Sequence, residues 1–443
     1  ATTINQRGDG ATARANTFSY ATSAAATVTY NNASASEDLA NASTTFSNVA
    51  NLTIAANDGS STVDYDWDLE SLAGGTALTD LTLTTGSDTE ALDTGAITAA
   101  NLENWTITTD DGNITVDTLV GAGELKTLTI NNANTASLGH VAVGAIGGTT
   151  AADELTAFNV TTLGTSDAGG STQVTVTSLD AEGATFTFDM NLAGDYGTST
   201  LGTTTATSIS ALNITTGTLG TALNVDNFVA TGNYGDVTIS VGDAFDGDDD
   251  FLSTGSKTVG DVSLSTSALA LNIAEGAGET FINGATTVGN LTLTASAAAS
   301  SINIGHFEEA TTVGNITFTG TGSIIWDGAA AATTVGNISG SVASGESVDL
   351  TTVSGSTIGA SSGTIGTTTV TGAGTFNVDF GAATTVGNID LSGMDATTSA
   401  STITLNSATT SGLTYTGSAG GDTFTSGSGA DTITAGLGID SIT

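Results

Sequence analysis

Short runs in which aliphatic and hydroxylated residues alternate recur along most of the chain. Asn51-Leu52-Thr53-Ile54, Asp80-Leu81-Thr82-Leu83, Asn113-Ile114-Thr115-Val116 and Asp236-Val237-Thr238-Ile239 are the plainest examples upstream. Successive side chains of a strand point to opposite faces, so each run has one apolar and one hydroxylated face. The Leu, Lys, Glu and Arg patterns of long helices are missing. These runs predict an all-β protein of short strands.

Downstream the runs sit in a longer phrase, TTVGN. It reads Thr286-Thr287-Val288-Gly289-Asn290-Leu291-Thr292-Leu293 and returns from Thr311, Thr333 and Thr384, with a variant from Lys257. Its Val residues, at 259, 288, 313, 335 and 386, are 29, 25, 22 and 51 apart, so the last gap holds one degenerate copy. Gly-Asn before the strand is a turn signal, since both residues tolerate positive φ. A unit of this length cannot bury its own apolar face, whereas stacked copies can. The expected fold is a parallel β-solenoid, or β-helix-like repeat, with rungs about 4.8 Å apart. Asn290, Asn315, Asn337 and Asn388 then stack at one corner, hydrogen-bonded along the axis.

The regular spacing places the solenoid at residues 256–412. Spacing is less regular at 46–255, where solenoid and β-sandwich portions both remain open. Residues 1–45, rich in Ala, Asn and Ser, read as a flexible or strand-exchanging arm.

Charge changes the picture. Four Lys and Arg face 45 Asp and Glu, a net charge of −41. So acidic a surface repels phosphate and excludes nucleic acid as a partner. Cys is absent, which removes disulfides, thiolate metal sites and cysteine nucleophiles. No apolar stretch is long enough for a transmembrane segment. Residues 1–10 lack a basic region followed by an apolar one, so no signal peptide is expected there. Thr is roughly a fifth of the residues and Pro is absent, as suits β-branched strands with few interruptions.

Residues 417–443 read GSAGGDTFT SGSGADTIT AGLGIDSIT, a period of nine. Asp422, Asp431 and Asp440 recur in register, as do Gly420, Gly429 and Gly438 and the apolar Phe424, Ile433 and Ile442. The pattern resembles the RTX nonapeptide GGxGxDxUx, which binds calcium. It departs at Ser426 and Ala435 in place of the first Gly, and at Ser418 in place of the second. The resemblance implies an RTX-type calcium β-roll over 413–443, with two nonapeptides to a coil and ions between turns of successive coils. It implies Asp422, Asp431 and Asp440 as carboxylate ligands, and Gly420, Gly429 and Gly438 as carbonyl ligands, of Ca²⁺. Such hard oxygens suit that ion, which takes six to eight of them.

A second acidic segment, VGDAFDGDDDF, crowds Asp243, Asp246, Asp248, Asp249 and Asp250 together. That density repels itself unless a cation is held there, so these five are further metal candidates, against a solvated loop as the alternative. Asp64, Asp66 and Asp68 share one face of a possible strand, and Asp110-Asp111-Gly112-Asn113 has the form of a coordinating turn.

An enzyme is not expected. Chemistry on acidic sugars needs basic groups to hold the substrate and stabilise developing charge. Only Arg7, Arg14, Lys126 and Lys257 exist, scattered along the chain, with His140 and His306 as the imidazoles. Trp67, Trp105 and Trp326 offer few stacking platforms, and no acidic pair stands out as a glycosidase site. Arg7-Gly8-Asp9 and the several Asn-x-Ser/Thr triplets are at the level of chance in this composition.

Taken together, nonapeptides, Thr-, Ala- and Gly-rich β repeats, acidity and the lack of Cys resemble bacterial surface-layer and related RTX-repeat cell-surface proteins exported by type I secretion. That resemblance implies an extracellular, calcium-dependent structural protein of the cell surface. Its partners would be copies of itself in a lattice or filament, with a cell-surface polysaccharide as a further candidate. An RTX-type adhesin or matrix-binding protein is the alternative. A β-helix enzyme acting on polysaccharide is the weaker third.

Overall fold

The structure is a computed structural model. It describes all residues except 1, 7–13, 31–41, 57–65, 70, 87–90, 111, 133–138, 148–150, 163–172, 193–196, 219–221, 249, 256, 275–278, 351–356 and 360–362; at 2–6, 14–16, 21–24, 29–30, 42 and 66–68 it describes the backbone alone. The chain forms two compact units, Ala1–Asp226 and Asn227–Thr443. Both are parallel β-solenoids. The one helical element among the described residues is a 3₁₀ turn, Ala122–Glu124. No helix among them is long and apolar enough to cross a membrane.

In Ala1–Asp226 the strands fall into three parallel columns. The longest column runs through Ala42–Ala56, Asp80–Thr85, Asn104–Thr109, Thr127–Asn132, Ala157–Thr162, Val174–Leu192 and Thr204–Thr216. Its inward positions stack Leu52, Leu81, Trp105, Leu128, Phe158, Phe188 and Leu212, all buried. Phe158 and Phe188 stack with ring centroids 4.9 Å apart. The alternation read from the sequence thus builds one continuous core, and the upstream region is solenoid in place of sandwich. Even the stretch expected to be an arm contributes: Thr2–Gln6 pairs in parallel with Arg14–Tyr30, which pairs with Ala42–Ala56.

In Asn227–Thr443 each TTVGN phrase becomes a two-residue strand, a corner and a longer strand. The short strands Thr258–Val259, Thr287–Val288, Thr312–Val313, Thr334–Val335, Thr364–Ile365 and Thr385–Val386 form their own six-stranded parallel sheet. Thr364–Ile365 is the degenerate copy. Past the corner, Val262–Thr266, Leu291–Ala295, Ile316–Gly320, Ile338–Val342 and Thr368–Gly372 stack in register, and Ile389–Met394 follows with a register shift between Thr369 and Thr371. A second column faces them, from Phe245–Gly247 through Ala270–Ile273 and Ser301–Ile304 to Ala400–Thr404. A line of rings fills the interior: Phe245, Phe251, Phe281, Phe307 and Trp326 follow one another with centroids 5.0–6.1 Å apart. Trp105 and Trp326 are both fully buried, so neither offers a sugar-stacking surface.

The corner glycines correct one inference. None of Gly260, Gly289, Gly314, Gly336, Gly366 and Gly387 has a positive φ. They are glycine because successive corners touch. A Cβ on Gly314 would lie 2.8 Å from the Gly289 carbonyl oxygen and 2.8 Å from the Asn290 nitrogen. Beside them the expected ladder joins three of its four asparagines, with backbone N–H groups as donors, and Thr367 stands between Asn337 and Asn388. Asp261 donates to Asp236 Oδ1 at 3.0 Å, Asn290 to Asp261 at 2.8 Å, Asn315 to Asn290 at 2.9 Å, Asn337 to Asn315 at 2.9 Å and Thr367 to Asn337 at 2.9 Å. The carbonyl or carboxylate oxygen of one rung thereby satisfies an N–H of the next that the bend takes out of the sheet.

Candidate metal centre

The nonapeptides close the second unit with a smaller coil. Rungs of 21–30 residues give way to one of 18: Thr414–Thr416 pairs with Thr432–Thr434, and Thr423–Thr425 with Ser441–Ile442. Two nonapeptides therefore make one turn. The coil is thin enough that Tyr415 and Phe424, from its two opposed strands, stack across the core at 4.2 Å and 13°. In the last rung Ile433 and Ile442 stand in register with Tyr415 and Phe424. Ile433, Leu437, Ile439 and Ile442 are exposed, Ile439 almost wholly, at 94%.

This geometry sorts the three aspartates. Asp422 and Asp440 each precede a strand of one column and so share a corner, one rung apart. Asp431 precedes a strand of the other column, at the corner where Asn388 accepts the Thr414 N–H at 2.9 Å. Asp440 Oδ1 accepts the Asp422 N–H at 2.9 Å, and Asp431 Oδ1 accepts the Leu413 N–H at 3.1 Å. Asp422 is 1% exposed. Its carboxylate takes the Ser418 N–H at 2.6 Å and the Ser418 hydroxyl at 2.8 Å. Burial pushes its pKa up; the Ser418 hydrogen bonds oppose that, and the charge of Asp440 adds to it. Burial, reinforced by the Asp422 charge, also drives the Tyr415 phenol far above its ordinary value.

The glycines hold the turns against one another. A side chain on Gly420 would collide with the Ser399 carbonyl, and one on Gly429 with the Ser411 carbonyl. Gly438 adopts φ +100°, a conformation that L side chains rarely take, and lies on Gly420. Turn 417–422 thus stacks directly on turn 435–440, with Leu437 N–H donating to Ser418 O at 3.1 Å and Ser441 N–H to Asp422 O at 2.8 Å.

The donor chemistry fits a hard divalent cation. A buried carboxylate stands one rung from another in glycine turns, and residues 413–443 contain no Lys, Arg or His to neutralise them. Asp431 lies apart from that pair. Among the described residues no three acidic or imidazole side chains converge on one point, so backbone carbonyls would have to complete a coordination shell.

In the acidic segment at 243–250 the structure describes Asp243, Asp246, Asp248 and Asp250. Asp243 is buried, and its Oδ1 accepts the Ala244 N–H at 2.9 Å. Asp246 sits outward on the strand Phe245–Gly247, paired with Asn272, and Asp248 is exposed. Asp250 takes φ 56° and accepts a hydrogen bond from Asn283 Nδ2 at 2.9 Å. Asp249 lies outside the described residues, as do Asp64, Asp111 and the Arg7-Gly8-Asp9 triplet. Asp66 pairs with Ala91 and Asp68 with Asp93 along adjacent strands.

Asn113, read as part of a possible coordinating turn, has a structural partner. Its Oδ1 accepts the His140 N–H at 3.0 Å, and His140 Nδ1 accepts the Gln173 N–H at 3.0 Å. His140 is thus a corner acceptor in the manner of Asn290, a role the sequence reading missed. The signal was present: Gly139-His140-Val141-Ala142-Val143 has the form Gly-polar-aliphatic-x-aliphatic. His306 is half-buried and donates its N–H to Glu279 O. Lys126 pairs with Glu103 at 2.9 Å on the surface.

No protein-family model matches the chain, and comparison with curated proteins and with solved structures returns no match to either.

Proposed function

We propose that the chain is an extracellular, calcium-dependent structural protein that associates with copies of itself in a bacterial surface layer or surface filament. The observation that carries this reading is the corner shared by Asp422 and Asp440. A desolvated carboxylate one rung from a second, with no base in the segment, is a costly arrangement unless a cation is bound. Calcium there would supply positive charge to both. Asp422, Asp440 and carbonyls of the glycine turns, including Gly420 and Gly438, are the groups to hold it, with Asp431 and Gly429 serving the opposite corner.

The rest follows from charge and shape. A net charge of −41 opposes compaction and association at low ionic strength, and divalent ions offset it. An ion that binds only the folded coil stabilises it by mass action, so folding would follow export into a calcium-rich medium. No catalytic role is proposed. Negative-stain microscopy of the purified chain tests the reading: calcium should produce regular arrays or filaments, and EGTA should disperse them. Particles that stay single in calcium would reject self-assembly.

A polar cleft in Asn227–Thr443 favours a second reading, an adhesin that binds surface polysaccharide. A chain that remains monomeric in calcium while binding glycan would support it over the first.

A further inference from the structure

Two adjoining hollows, of about 600 and 300 Å³, lie on the outer face of the second unit and share Asp379 and Thr404 as walls. Their floor is set by the ladder. Asp349, Asn377 and Thr402 are aligned on successive strands, and Asp379 and Thr404 form the next outward row. Thr357, Gly359 and Asn406 also line the larger hollow.

The lining restricts the occupant. Among the described residues it has two carboxylates, two amides and three threonine hydroxyls, with Ala330, Val378, Ala382 and Leu405 between them, and neither an aromatic nor a basic residue. Anions are repelled. Apolar ligands gain little, because sites for them are lined mainly by apolar side chains. The combined space is far larger than a single ion. A cationic ligand would pair with the two carboxylates but leave the amides and threonine hydroxyls unused, whereas a neutral ligand dense in hydroxyl groups uses all of them. Carboxylates accept hydrogen bonds from such hydroxyls, an amide both donates and accepts, and a threonine hydroxyl does either. Rows on a parallel sheet repeat every ~4.8 Å, which sets these groups out at regular intervals along the axis.

The groups are also held in place beforehand. Asp379 Oδ1 accepts the Gly381 N–H at 2.8 Å, Asn377 Oδ1 accepts the Thr402 N–H at 3.2 Å, and Asn377 Nδ2 lies 3.4 Å from Asp349 Oδ2. Preorganisation lowers the entropy that binding would otherwise cost.

We propose that this cleft binds a neutral saccharide of one or two sugar units, recognised through its hydroxyls by Asp349, Asn377, Asp379 and Thr404. The proposal deepens the adhesin reading and needs neither self-assembly nor the ion corner at Asp422. Saturation-transfer NMR on the calcium-loaded chain would test it with glucose, galactose, mannose, N-acetylglucosamine and their β-linked disaccharides, alongside glucuronate and galacturonate. At least one neutral sugar should give signal, and the uronates little. Thr404→Val, close to isosteric on an outward strand position, should weaken binding at least fivefold, as should Asp349→Ala. Asp422→Asn should leave it unchanged, which separates this site from the metal centre. Absence of signal from every neutral sugar, equal binding of uronates, or native affinity in both Thr404→Val and Asp349→Ala would overturn the proposal.

Discussion

The backbone N–H of Asn315 donates to Oδ1 of Asn290 at 2.9 Å, although the two residues are 25 apart in sequence. The bond holds one corner of the solenoid to the next, and the same arrangement repeats from Asp236 to Thr367. Asn315→Leu leaves the Asn337 N–H without its acceptor and should cost about 1 kcal/mol. Asn315→Asp keeps the acceptor and should cost less. Urea denaturation of the two variants checks the order; equal losses would mean that the ladder contributes through bulk alone.

Glycine at the corner is a matter of room. Gly314→Ala places a methyl 2.8 Å from the Gly289 carbonyl oxygen, and the two rungs must part. Overpacking of this kind costs about 1–3 kcal/mol. Gly345, with φ +86° and open space around it, should respond differently. There Gly345→Asn should be milder than Gly345→Ala, since Asn tolerates the left-handed region. Thermal melts of the three variants give the comparison.

These corners show how far the sequence could be read. Repetition of Val-Gly-Asn with alternating strands was enough for a parallel solenoid and for the asparagine column, because each follows from period and residue type alone. The degenerate copy was located only as a gap, since Thr367 stands where Asn is expected and bonds through its N–H all the same. His140 escaped notice because its corner role depends on an imidazole lone pair and on rungs 27 and 33 residues away. The column of rings from Phe245 to Trp326 was invisible for a related reason: irregular turns separate its members, so no period marks them. Nine-residue spacing alone does not show that Asp431 stands apart from Asp422 and Asp440; the separation follows from the coil of two nonapeptides that the RTX resemblance implied and the 18-residue rung shows.

His140 makes a pH prediction. Burial holds its pKa below the ordinary histidine value, and its Nδ1 must stay unprotonated to accept the Gln173 N–H. In the unfolded chain it protonates at about 6.5. As pH falls through that value the unfolded state gains a proton that the folded state resists, so stability declines until the lower folded value is reached. His140→Asn restores the acceptor used at the other corners and should flatten this dependence. A variant whose melting temperature falls as steeply as the native chain's between pH 7 and 5 would contradict the assignment.

Asp422 behaves in the opposite sense. Its pKa is raised by burial, so the folded chain favours the protonated form. Stability is lost as pH rises from about 3.9, the ordinary carboxylate value, through the higher folded one. Without calcium at pH 7, Asp422→Asn should therefore melt no lower than the native chain, and any difference should close below pH 4. A clearly lower melting temperature would show that the Ser418 contacts need a full carboxylate.

The measurement that bears most directly on the central claim is calorimetric melting of the native chain and of Asp422→Asn, each with calcium and with EGTA. Calcium should raise the native transition and sharpen the melting of the 18-residue coil, while the variant should respond much less. If calcium leaves the native transition where EGTA does, or moves both proteins equally, the aspartate corner is not a metal centre and calcium-dependent assembly through it is wrong.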